Sequence, residues 1–198
     1  VTVEYSYAGS AQLISQMELS QKGDVFIVGS EQVYKKAQEK NMCGEYKTVA
    51  YHTPAIAVPK GNPAGITTLA DLAKTGVKVV LGDETSNAIG QTAQKIIEKN
   101  HLGAINDNVI SKAATVNEIV VQLTSGNGEA AIVTKDSVFG NMDLEVIDIS
   151  PKENIDQIIP VGTVTYIENP EAAQAFADFV ASPEGKAIFE KYGFAPVE

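Results

Sequence analysis

Apolar and polar residues change rhythm repeatedly along this chain, and the rhythm predicts alternating strands and helices. Val1, Val3, Tyr5 and Tyr7 alternate with polar residues, which predicts a strand over 1–7. Gly9 turns the backbone, Ser10 is placed to cap a helix, and Leu13, Ile14 and Met17 continue at helical spacing over 11–19. Residues 24–28 form a short apolar run of the kind found in a buried parallel strand, and Ser30 then caps a helix holding Val33, Tyr34 and Ala37. This β-α-β-α order predicts a doubly wound parallel sheet.

A second series follows a proline-marked extended segment. Residues 46–58 read as strand with Pro54 inside, which excludes a central position for that part and suits a segment passing from one sheet to another. After a turn cluster at 59–63 and a short helix from Thr67 to Leu72, the pattern gives a strand at 77–81 and a polar turn at 82–90. A helix with Ala93, Ile96 and Ile97 on one face comes next. A strand at 109–111 leads into a helix through Val120, Val121 and Leu123, and strands follow at 130–133 and 144–149. Residues 158–166 mirror the earlier crossing segment, with Pro160 inside, so the two extended segments read as a paired hinge. Two capped helices close the chain, Pro170 to Val180 with Ala172, Ala175, Phe176 and Phe179 facing inward, and Pro183 to Lys191. Phe189 and Phe194 are read as core anchors.

The resulting expectation is α/β, with two lobes. Each lobe is expected to be a mostly parallel sheet flanked by helices, with two hinge crossings. Lobe I comprises 1–52 and 160–198, and lobe II comprises 53–159. Ligands of such sheets bind where helix N-termini converge at the carboxyl ends of the strands, here the cleft between lobes. The chain begins inside a strand, so residues before it are expected.

Three strand-to-helix turns carry the candidate chemistry, at Gly9-Ser10, at Ser86 to Ile89, and at Ala114 to Glu118. The first amides of a helix have no partner within it and, with the helix dipole, favour an anion without any cationic side chain. Composition narrows the anion. Among 198 residues the 15 basic ones are all lysine, so a bidentate arginine grip on an α-carboxylate or nucleotide is excluded; tryptophan is absent as well. A net charge of −10 argues against nucleic acid or an anionic membrane surface as partner. The single cysteine, Cys43, has no internal disulfide partner and reads as a small packed group. His52 and His101 belong to no ligand-spaced motif, so no site for a free metal cation is expected. No apolar run reaches the length that spans a membrane.

The order and spacing of these pieces resemble the ModA type, the molybdate- and tungstate-binding proteins of ABC importers. The matching stretches are Ala8-Gly-Ser10, Gly23-Asp-Val-Phe-Ile27, Gly82-Asp83, Gly128-Glu-Ala-Ala-Ile-Val133 and Ile188-Phe-Glu-Lys-Tyr-Gly-Phe194. The resemblance implies the two-lobed, type II fold of periplasmic binding proteins, with lobe I here lacking the family's first strand and helix, and an extracytoplasmic protein, periplasmic or lipid-anchored, monomeric and without a cofactor. It would hold molybdate or tungstate through neutral hydrogen bonds and deliver it to the membrane permease of the importer. By resemblance Ser10 donates through hydroxyl and amide, Ile89 and Asn117 through backbone amides, and Gly9, Ala88 and Ser86 are supporting donors at helix starts. The family has a tyrosine after its Ile-Val strand; here Thr134 stands there, a hydroxyl of shorter reach. Glu118 and Asp136 are the carboxylates that could expand the coordination. Competing readings are a sulfate or phosphate binder and the ligand-sensing domain of a transcriptional regulator. An enzyme ranks below them, because Asp83 and Glu84, side by side in a turn, have no base or nucleophile as partner.

Overall fold

The structure, a computed structural model, describes residues 2–197. The chain divides into one compact unit from Val1–His52 with Gln157–Glu198, and another from Thr53–Asp156.

In the first unit, strands β1 (Val25–Ile27), β2 (Cys43–His52) and β8 (Gln157–Val164) form one sheet in the order β1-β8-β2. Side chains alternate across it. Phe26, Val28, Cys43 and Val164 pack on one face with Ile14 and Met17 of α1 (Ser10–Ser20) and Tyr34 and Ala37 of α2 (Glu31–Glu39). Val49, Ile159 and Val161 pack on the other with Ala177 and Val180 of α5 (Pro170–Val180), and with Phe189 of α6 (Pro183–Lys191) and Phe194 against them. Ser30, Asn169 and Ser182 each accept a backbone N–H and start α2, α5 and α6 as their sequence positions imply.

Tyr34, with no exposed surface, lies under β8, where a Cβ on Gly162 would meet its hydroxyl, so only glycine fits at that crossing. Cys43 packs beside it, and burial pushes its thiol up to about 11.

The second unit holds β3 (Pro54–Pro59), β4 (Val79–Gly82), β5 (Val109–Ala113), β6 (Ala130–Thr134) and β7 (Leu144–Asp148), in the order β5-β4-β6-β3-β7. Ile56, Val79, Val80, Leu81 and Ile132 are almost fully buried between α3 (Ala88–Lys99), α4 (Val116–Thr124) and the short 3-10 helices around Leu69 and Ile105. The helix read at Thr67–Leu72 is the 3-10 helix Leu69–Ala73. It starts at a capping box in which the Asp71 carboxylate accepts from the amides of Thr67 and Thr68.

The α/β class with two helix-flanked sheets stands, and three readings need correction. Residues 2–9 form no strand: Val3, Tyr5 and Tyr7 are exposed, with the Tyr5 and Tyr7 rings stacked 5.9 Å apart. An extended segment becomes a strand only against a partner, and none is present among the described residues; Val1 lies outside them. The sheets are also less parallel than the β-α-β-α order implies. β8 runs antiparallel to both β1 and β2, and β3 is antiparallel to β6 and β7, leaving only β5-β4-β6 parallel. Pro54 opens β3 rather than interrupting it, a position where a missing N–H costs nothing, and Pro160 lies beside a register shift in the β2–β8 ladder. Finally, α5 buries Ala173, Ala177 and Val180, while Ala175 and Phe179 of the expected inward face are exposed.

Candidate functional site

The parallel strands β5, β4 and β6 run side by side, so their carboxyl ends lie at one edge of the sheet; the ends of β4 and β5 feed two of the turns that the sequence singled out, and β6 ends at Thr134. From β4 the chain passes through residues 83–87 into α3. From β5 it passes through Ala114 and Thr115 into α4, and from β6 through Thr134 to the 3-10 helix Asp136–Val138. Ile89, Asn117 and Thr134 therefore belong to one edge of one sheet.

The start of α3 is pinned by close packing. A Cβ on Gly90 would collide with the Gly82 carbonyl, and a Cβ on Gly82 would lie 2.8 Å from the Gly90 nitrogen, so the helix rests directly on the strand end. Asn87, only 7% exposed, ties the two together. Its amide nitrogen donates to the Ala113 carbonyl at 3.4 Å, and its oxygen accepts the Ile89 N–H at 3.2 Å. The donor expected at Ile89 is thus capped by a neighbour, and Ala88 is engaged too. Asn87 does cap α3, but Ser86 does not: its amide and hydroxyl both donate to Asp83, at 3.0 and 3.1 Å, as do the amide and hydroxyl of Thr85. With the Thr85 hydroxyl as the largest cause, these donors hold the Asp83 carboxyl down at about 2. A resident carboxylate takes the donors that were expected to serve a solute.

At the start of α4, the Thr115 hydroxyl accepts the Glu118 N–H at 3.2 Å as an N-cap, and the Glu118 carboxylate accepts the N–H of Ala114, the residue before the cap, at 3.0 Å. Glu118 is therefore engaged in the cap. Asn117, exposed at the second position of α4, has an N–H that the intrahelical ladder does not use. At the end of β6, Thr134 is 5% exposed, and its hydroxyl donates to Asp136 at 3.2 Å.

In the other unit, Ser10 is the first residue of α1 and Gly9 is its N-cap, so Ser10 does not cap the helix as its type suggested. Glycine has no side chain to offer, so no side-chain cap bond is made by the N-cap of α1. Among the described residues, no three His, Cys, Asp or Glu side chains gather as a cation site requires, and no helix is long and apolar enough to cross a membrane.

The profile of the bacterial extracellular solute-binding proteins matches residues 1–195. The chain belongs to that family. A Haemophilus influenzae relative named only as a binding protein is 31% identical over 199 residues, covering all of this chain and 80% of its own length. The molybdate-binding protein ModA of Mycobacterium tuberculosis is 23% identical over 197 residues, 98% of this chain and 74% of that protein. Among solved structures, a Clostridium difficile substrate-binding domain described as belonging to a molybdenum ABC transporter superposes with a TM-score of 0.82 at 23% identity, over 100% of this chain and 87% of that one. The sulfate-binding protein SubI of Mycobacterium tuberculosis also gives 0.82, at 16% identity over 98% and 75%. These superpositions show the fold of solute-binding proteins, and together with the family profile and the ModA relative they support a ModA-type binding protein. The family binds solutes for ABC transporters outside the cytoplasm, and it is not a family of enzymes.

The sequence reading missed how thoroughly this edge supplies its own acceptors. Asn87, Asp83 and Asp136 each stand within three residues of a candidate donor. An acidic or amide side chain beside a helix start is the signal that could have revealed them.

Proposed function

We propose that the protein captures a tetrahedral oxyanion, molybdate or tungstate, and hands it to the permease of an ABC importer. One observation carries the reading. In a chain of solute-binding type with no arginine, two helix starts and a hydroxyl-bearing strand end share the carboxyl edge of one parallel strand set. Asn117 and Ile89 would donate through their amides and Ser10 through its hydroxyl and amide, with Gly9, Ala88, Ser86 and Thr134 in support. The Ile89 amide must then exchange its 3.2 Å bond to Asn87 for one to the anion. Charge-assisted bonds of about 1.5–3 kcal/mol each make that exchange favourable. The solute is held by neutral groups, and the protein acts as a monomer without nucleic acid.

The test is thermal unfolding and titration calorimetry with both anions. At one hundred times Kd the ligand should stabilise by about 2.7 kcal/mol. No shift at about millimolar molybdate or tungstate, concentrations far above any useful uptake Kd, sinks the reading. The sulfate reading, favoured by the superposition on a sulfate-binding protein, is separated by competition between sulfate and molybdate.

A further inference from the structure

We propose that Asn154 is a positioning residue that fixes where the chain can bend between its two units, and thereby sets the rate of solute release. The inference rests on the oxyanion-binding reading above and adds a residue on which release depends.

The chain passes between the units twice, after His52 and after Asp156. Both passages are fastened close to the crossing. In the first unit, His52 pairs with Gln157 at the end of the β2–β8 ladder. In the second, the Thr53 carbonyl accepts the Lys135 N–H at 3.0 Å, which holds the outgoing passage to the end of β6. Pro54 follows, with no N–H to give. Its carbonyl points the other way, toward β7, because bonding sides alternate along β3: the Lys60 N–H bonds to Asp143, and the equivalent pairs are Val58 with Glu145 and Ile56 with Ile147. The next partner in that series is Ile149, but β7 stops at Asp148. The Asn154 side chain takes its place and donates to the Pro54 carbonyl at 2.7 Å.

Asn154 is only 8% exposed, and all of its polar groups are engaged. Its Oδ1 accepts the Ile155 N–H at 2.9 Å, its carbonyl accepts the Lys99 ammonium at 2.8 Å, and its N–H donates to the Ser150 carbonyl. One side chain therefore ties the outgoing passage at Pro54 to the returning passage at Ile155. Bending is left to the link between His52 and Thr53 and to the exposed Asp156, and a few such residues at element ends are what a hinge is made of. Asn100 braces the same loop, but its amide donates to the Glu153 and Ile96 carbonyls and not to Pro54.

The experiment compares Asn154→Ala, Asn154→Asp and Asn100→Ala with the native chain, by amide hydrogen exchange without ligand and by stopped-flow release of molybdate. Alanine removes both side-chain bonds of Asn154; aspartate keeps the acceptor for Ile155 and turns an oxygen toward the Pro54 carbonyl. In both Asn154 variants the Lys135 amide should exchange about tenfold faster or more, and molybdate should leave about fivefold faster or more, with its association rate little changed. Asn100→Ala should move neither. Equal effects from Asn100→Ala would mean that the loop matters for stability alone, and that result overturns the inference. An unchanged Lys135 amide or release rate in Asn154→Ala overturns it too. If the native protein binds no molybdate, the oxyanion reading falls and the claim on release with it, while the ligand-free exchange still decides whether Asn154 fixes the joint.

Discussion

At the scale of single residues, the carboxyl edge of β5-β4-β6 is defined by side chains that take up several of its donors. Asp83 is the clearest case. Its folded value of about 2 lies below that of an unfolded aspartate, about 3.9, so the charged form is favoured by folding. That contribution is fully present above about pH 4 and is lost as pH falls toward about 2. Asp83→Asn should therefore flatten the acid limb of the melting temperature between those values relative to the native protein. A melting series from pH 2 to 5 checks this, and identical limbs would exclude it. The candidate donors were legible as residue types at strand-to-helix turns. Their occupancy was not, because whether Asn87 reaches Ile89 or Ala113 depends on how closely α3 sits on β4, which two glycines eight positions apart decide only once they are in contact.

At the scale of elements, helix and strand identities followed from local periodicity, and the faces they present did not always follow. Helix α5 contains two overlapping apolar stripes. Ala172, Ala175, Phe176 and Phe179 make the larger one, yet the sheet takes Ala173, Ala177 and Val180. The small side chains win because the helix must lie close on β8 and β1, where a phenylalanine would hold it off. Phe179→Ala, at a side chain half exposed, should change stability by no more than about 0.5 kcal/mol. Ala177→Leu should cost about 1–3 kcal/mol by overpacking. Urea unfolding of the two variants compares them directly, and the reverse order would restore the larger stripe as the buried one. The opening segment makes the same point from the other side. Alternation at Val3, Tyr5 and Tyr7 is real, but a strand requires a neighbour.

At the scale of the whole molecule, net charge sets how a solute anion arrives. With −10 on the chain and no arginine in it, the long-range field would repel the proposed oxyanion, and only short-range dipoles would hold it. Added salt should then raise the association rate of molybdate, where a lysine- or arginine-lined site would show a fall; stopped-flow binding between about 10 and 300 mM salt measures the sign. The sequence alone sufficed for the α/β class, most of the order of elements after residue 9, the caps at Ser30, Asn169 and Ser182, and the kinship with oxyanion-binding proteins. These rest on periodicity, capping chemistry and motif order, which are properties of neighbours along the chain. Only the tertiary structure decided that β8 runs antiparallel between β1 and β2, and that Asp83, Asn87 and Asp136 accept from Ser86, Ile89 and Thr134, groups that the sequence reading had assigned to a solute. Strand direction and hydrogen-bond partners are settled by which groups meet in space, and contacts between distant elements leave no local mark.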